Sequence, residues 1–284
     1  MRHVFIHADS THRSLLPDHA EVIPTSSIPT RKELKLLDAV TTTILPNDPT
    51  PSLEDIAKQP DVAHLSTPVV APQREYLEDV LRVVVLGSDA ALAAVLTRLM
   101  RSDSLWCEVG YVPTDPQSYV ALGWDLPKSA QEALDFAAEA PMRPLPLIRD
   151  DAAQVVAGHA EITAWDAREI TGEIIVDDAQ LLLHQAGRRT PRTGIFGARL
   201  VPTLDAPGLA AVVLNTPVQP VTHGFFRRPS KVIGSADATT LRTGRALQAG
   251  GVELRVSIDG VSRKRAVERA TFYRHLRDLQ AVRR

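Results

Sequence analysis

The chain has one cysteine, Cys107, in 284 residues. An intrachain disulfide is therefore excluded, and so is a zinc finger, which needs cysteines or histidines at set short spacings. Thiols without partners favour a reducing compartment. Long apolar runs are absent too. None approaches the roughly 20 residues that span a bilayer, and MRHVFIHADS lacks the apolar core of a secretory signal. A cytoplasmic protein is expected. The net charge of −2 argues against a general nucleic-acid binder. Lysine is scarce, 6 against 26 arginines, a ratio that genome composition explains as readily as function. Gly-x-x-x-x-Gly-Lys-Ser/Thr, Gly-x-Gly-x-x-Gly and Gly-x-Ser-x-Gly are all missing, which removes the common nucleotide and hydrolase templates. His3, His7, His12 and His19 do not make a metal site. The first two sit on a predicted strand, too far apart for one ion, and no carboxylate or cysteine completes a set.

What is present is enough apolar residue for real cores: 44% hydrophobic and 23% charged is ordinary for a globular chain. The organising stretch is Arg82 to Pro127. Val83–Leu86 reads as a strand buried on both faces. Gly87-Ser88-Asp89 is a tight turn, and Ala90–Met100 a helix with Asp89 placed to cap it. Trp106–Val112 is a second strand, stopped by Pro113, and Gln117–Trp124 a short helix. Strand, turn, helix, strand is half of an open α/β sheet. Upstream, His3–His7 and Glu21–Pro24 read as strands and Arg31–Leu45 as a helix. Pro46–Ser52 is a loop, Leu53–Lys58 one or two helical turns capped by Ser52, Asp61–Ser66 a strand and Arg74–Leu81 a helix.

Near Pro144 the texture changes. Gln154–Trp165, Ile170–Leu183, Gly194–Val201, Leu209–Leu214, Lys231–Ile233, Leu241–Gln248, Glu253–Ile258 and Val267–Tyr273 are β-rich. Turn signals at Asp205–Gly208, Gly250-Gly251 and Asp259-Gly260 separate them. Such spacing predicts an antiparallel β-sandwich. The expected organisation is an α/β domain over residues 1–143 and a β-sandwich over 144–284. Arg274–Arg284 suits a helix through Leu276, Leu279 and Val282.

The frame resembles the catalytic domain of the diacylglycerol kinase and lipid kinase family, which shares its fold with NAD kinase. That family carries Gly-Gly-Asp-Gly-Thr where this chain has Gly87-Ser88-Asp89-Ala90-Ala91. It carries Ile-Pro-Leu-Gly-Thr-Gly-Asn-Asp-Phe-Ala where this chain has Val112 to Ala121, and Leu-Gly matches Leu122-Gly123. Glu132-Ala133-Leu134 and Arg143-Pro144-Leu145 match the following helix and strand. The acid of the family's Asp-Leu-Gly strand is Pro146 here. Its Asp-Gly-Glu is Asp259-Gly260-Val261.

The resemblance implies an open α/β nucleotide-binding-type domain followed by an antiparallel β-sandwich, with the last residues returning toward the first domain. It implies Asp89 and Asp259 as catalytic candidates, and Gly87, Ser88, Ala90, Thr114 and Gln117 as nucleotide-binding candidates. Mg²⁺ and ATP are the cofactors if the protein is active, and none otherwise. Plain readings stand beside these: Asp89 as a helix cap, Thr114–Ser118 as turn chemistry, Asp259 as a hairpin residue. With four motifs edited, and phosphoryl transfer resting on positioning and charge, catalysis lost or much reduced and function by binding is the first expectation. An atypical ATP-dependent lipid kinase is the second. The expected partner is a lipid or small molecule, and a homodimer is left open. Phe225 and Phe226 beside Arg227 and Arg228 suggest peripheral membrane contact, with rings in the interface and cations at anionic headgroups.

Overall fold

The structure is a computed structural model that describes residues 1–8, 12–58, 66–218 and 233–284. The first layer system contains β1 (Arg2–His7), β2 (Val22–Pro24), α1 (Lys35–Ile44), α2 (Leu53–Ala57), β3 (Leu81–Gly87), α3 (Asp89–Arg101), β4 (Glu108–Pro113), α4 (Tyr119–Gly123), α5 (Ala130–Glu139) and β5 (Met142–Leu145). β3 is buried along its whole length. Its side chains alternate between two cores, as the period of two requires. Val83 and Val85 face Leu92, Val95, Leu96 and Leu99 of α3, with Leu37 of α1 behind. Val84 and Leu86 face Ala133, Leu134 and Ala137 of α5. α5 lies so close to β4 that a methyl on Gly110 would stand 2.6 Å from the Ala137 carbonyl oxygen.

The rest of the chain forms β6 (Ile148–Asp150), β7 (Val155–Val156), β8 (Ala160–Ala164), β9 (Gly172–Val176), β10 (Ala179–His184), β11 (Gly197–Pro202), β12 (Leu209–Leu214), β13 (Ala236–Gly244), β14 (Ala246–Ile258), β15 (Val261–Ser262), β16 (Val267–Arg274) and β17 (Leu279–Val282). β6 to β16 make one large antiparallel sheet system. β14 is its hinge. Its first half pairs with β9 and its second half with β8. The register shifts between Gly250 and Leu254, where Glu253 takes a left-handed φ of 47°. That bend folds the system over its own apolar face, so that β10 reaches β12 and β13. The α/β domain followed by a β-sandwich is therefore the observed architecture.

β17 leaves the sandwich. It enters the first sheet, whose order is β2-β1-β3-β4-β17-β5. It runs parallel to β4 and antiparallel to β5, with all four residues buried. The helix pattern read in Arg274–Arg284 is thus replaced by a strand. Leu279 and Val282 are buried alongside Gln280 and Ala281, a continuous run that only a central strand supports.

Other local readings are corrected. Arg74–Leu81 is no helix: a 3₁₀ turn covers Pro72–Tyr76, and Leu81 already belongs to β3. Gln154–Trp165 is two strands, broken at Ala157–His159. Leu241–Gln248 spans the end of β13 and the start of β14. Gly250-Gly251 lies inside β14 and is not a turn. Most of Asp61–Ser66 and of Lys231–Ile233 lies outside the described residues.

Candidate functional site

The two edges of the cleft are built by loops at strand ends. Gly87 ends β3, and Ser88, with extended φ and ψ, caps α3 by accepting from the Ala91 amide at 3.3 Å. Ser88 is therefore the N-cap, and Asp89 is the first helical residue, which releases its carboxylate for other work. Asp89 Oδ1 accepts from the Ser118 hydroxyl at 2.7 Å and lies 2.9 Å from the Tyr111 hydroxyl. Asp89 Oδ2 accepts from the Val120 amide at 3.2 Å. Ser118 also caps α4, accepting from the Ala121 amide. Tyr111 stands 3.0 Å from the Gly87 carbonyl oxygen as well. One carboxylate thus ties β3, β4, α3 and α4 together.

Asp259 does the same in the sandwich. It sits at the β14–β15 turn with φ of 48°. Its side chain is fully buried. Three consecutive amides converge on it: Ala157 at 2.9 Å, Gly158 at 2.8 Å and His159 at 2.9 Å. The two carboxylates meet at Gly158. A methyl placed there would lie 2.8 Å from Asp89 Oδ2 and 3.1 Å from Asp259 Oδ1. Burial pushes the Asp259 carboxyl up to about 7, the nearby Asp89 charge adds to this, and the three amides oppose it. Burial raises the Tyr111 hydroxyl too, again helped by Asp89.

His159 closes the outer side. Its ring lies 4.1 Å from that of Tyr119, and Arg199 stands 5.6 Å from the Tyr119 ring while paired with Glu161. Burial lowers the His159 imidazole below its ordinary value. Its buried Nδ1 has no hydrogen-bond partner, and Asp259 Oδ1 is 3.9 Å away. Beside Gly158 a cavity of about 220 Å³ opens between the domains, lined by Tyr119, Trp124, Leu145, Val201, Pro202 and Leu204 among others.

Asp89 and Asp259, singled out in the sequence, are brought to one point. The nucleotide candidates are not. The space over Gly87 is filled, because the Ala8 and Ala91 methyls would each lie 3.1 Å from a side chain starting there. Ser88 is committed to its cap. Ala90 lines a different cavity, along α3. The Thr114 amide donates to the Gly87 carbonyl at 2.8 Å, and its side chain is exposed. Gln117 is exposed, with its amide group near the Pro116 carbonyl. Phe225, Phe226, Arg227 and Arg228 lie outside the described residues. Among the described residues, no three His, Cys, Asp or Glu side chains group as a metal site needs. Tyr111, Ser118, Gly158 and His159 were not predicted as site residues. Ser118 alone left a signal, standing at the family's Asn.

Comparison with solved structures finds relatives of the fold. A diacylglycerol kinase from Bacillus anthracis str. Sterne superposes at a TM-score of 0.56 with 8% identity, covering 100% of this chain and 97% of that one. The fold is diacylglycerol kinase-like. A second protein of that organism, assigned as a diacylglycerol kinase, gives 0.54 with 9% identity over 100% and 97% of the two chains. A NAD kinase from Archaeoglobus fulgidus, solved with ATP, gives 0.46 with 13% identity over 98% and 92%. No family profile and no curated protein matches the sequence. At these identities the likeness is one of fold.

Proposed function

We propose that this kinase-fold protein works by binding, with phosphoryl transfer lost or much reduced, and that its interdomain cavity beside Gly158 takes a small, largely apolar ligand. The observation that carries this reading is the engagement of both carboxylates. Asp89 and Asp259 are each surrounded by three donors of the chain itself. A general base must reach the proton it removes; the Asp259 side chain is fully buried, and the half-buried Asp89 has both oxygens engaged by Tyr111, Ser118 and Val120. The packing of Ala8 and Ala91 over Gly87 supports it too, since phosphate needs the open glycine surface there. Mg²⁺–ATP at millimolar concentration should leave the melting temperature unchanged, whereas a ligand bound only by the folded state would raise it. 2-Naphthol should saturate the emission of Trp124 in a chain whose other tryptophans are Phe, and Leu204→Trp should abolish that titration.

One observation favours an atypical ATP-dependent lipid kinase instead. A carboxyl pushed up to about 7 is in the range where a general base works. ATP-dependent phosphate transfer to a diacylglycerol hydroxyl, lost in Asp259→Ala, would establish that reading and overturn binding alone. Membrane contact through Phe225 and Phe226 is a further part of the proposal. Sedimentation with anionic liposomes should fall in Phe225→Ala/Phe226→Ala; equal pelleting of both proteins removes it.

A further inference from the structure

A second cavity, of about 250 Å³, runs along the outer side of α3 and is lined by Ala90, next to Asp89 in the chain, and by Ile258, next to Asp259. Its floor is apolar and made of small residues: Ala90, Ala93 and Ala94 of α3, with buried Leu34, Val155 and Ile258 around them. Its charge is one-sided. Arg31, Arg98 and Arg101 all line it, and no carboxylate does among the described residues. Arg98 is paired through Nε and Nη2 with Asp38. Arg101 donates Nε and Nη2 to the carbonyls of Ala153 and Ala152, which satisfies those hydrogens without neutralising the charge. Arg31 is exposed. At the mouth two apolar side chains from different domains, Ile28 and Val261, stay 43% and 46% exposed.

An apolar floor, an unbalanced cationic wall and apolar lips are complementary to one kind of molecule. We infer that this cavity binds an amphipathic anion: a medium acyl or alkyl chain over Ala90, Ala93 and Ala94, with a carboxylate or phosphate headgroup at Arg31 and Arg101. A guanidinium recognises either headgroup through the same paired N–H geometry. The chain would remove Ile28 and Val261 from water. Because the wall comes from α3 and the 28–34 segment, and the roof from Gln154, Val155, Ile258 and Val261, the ligand would touch both domains at once. This site does not depend on the cavity beside Gly158.

The test is calorimetric titration of the full chain with octanoate, octyl phosphate and 1-octanol. Octanoate and octyl phosphate should bind at least about tenfold tighter than 1-octanol, and added salt should narrow the gap. Whichever anion binds tighter identifies the headgroup. Arg31→Gln and Arg101→Gln should each weaken the anions by about tenfold and leave 1-octanol alone. Ala94→Phe should block all three, while Leu204→Trp, which fills the other cavity, should change nothing. Arg31 is exposed and, among the described residues, makes no side-chain hydrogen bond or ion pair, so its variant keeps the test clear of unfolding. Equal affinity for octanol and octanoate, or unchanged octanoate binding in Arg31→Gln and Ala94→Phe, would overturn the inference.

Discussion

At Asp259 burial and hydrogen bonding pull in opposite directions, and the balance sets a pH dependence. An aspartate in an unfolded chain titrates at about 4, and in the folded chain this one is pushed up to about 7. The folded state therefore holds the proton more tightly. The resulting stabilisation is full below about pH 4 and is lost as pH rises through about 7. The melting temperature should fall from about pH 5 to about pH 8 more steeply in the wild type than in Asp259→Asn; parallel curves would contradict the assignment. Gly158 is the matching steric case. Gly158→Ala places a methyl between the two carboxylates and against the Tyr119 Cβ, 2.9 Å away. It should cost about 1–3 kcal/mol in urea denaturation.

Among the elements, β17 depends on a short buried network. Arg274 pairs with Asp278 at 2.8 Å, with both side chains almost fully buried. Asp278 also accepts from the Val69 amide, and Gln280 accepts from that of Ala71. Asp278→Ala strands a buried guanidinium and should cost about 3–5 kcal/mol, whereas Arg274→Met with Asp278→Leu should recover much of that loss; chemical denaturation reads both. This is also where the limits of the sequence are physical. Val83–Leu86 and the turn after it announce themselves, because an apolar β-branched run and a Gly-Ser-Asp turn are local signals. Arg274–Val282 carries a helical spacing, and its fate is decided by a gap between β4 and β5 that no local pattern records. The site divides the same way. Asp89 and Asp259 stood out by motif position, but the fate of Asp259 depends on Ala157–His159, about 100 residues before it in the chain. Three amides converging on one carboxylate leave no trace in residue type.

Over the whole molecule the two domains share packing as well as chain. Val155 and Ala157 of the sandwich side belong to the core of the first sheet. The Thr97 hydroxyl accepts from the Val155 amide at 2.9 Å, and the Tyr119 and His159 rings meet at 4.1 Å, tilted by 31°, across the boundary. Such sharing predicts one cooperative unfolding transition. Trp165 lies in the sandwich, under Arg255, and Trp106 and Trp124 lie in the first core. Urea curves from variants retaining Trp165 alone, or Trp124 alone, should coincide. Separated midpoints would show that each domain opens by itself.

The place of β17 also fixes an order of events during synthesis. β4 is made early, but Glu108 meets its partner Gln280 only after the entire sandwich has been translated. At about 5–20 residues per second, the slot between β4 and β5 stays vacant on the order of ten seconds or more on the ribosome. During that interval two strand edges with apolar faces are open to any passing segment. The nascent chain should therefore be a client of holding chaperones until residue 282 emerges, and chains stalled just short of β17 should aggregate where completed ones do not.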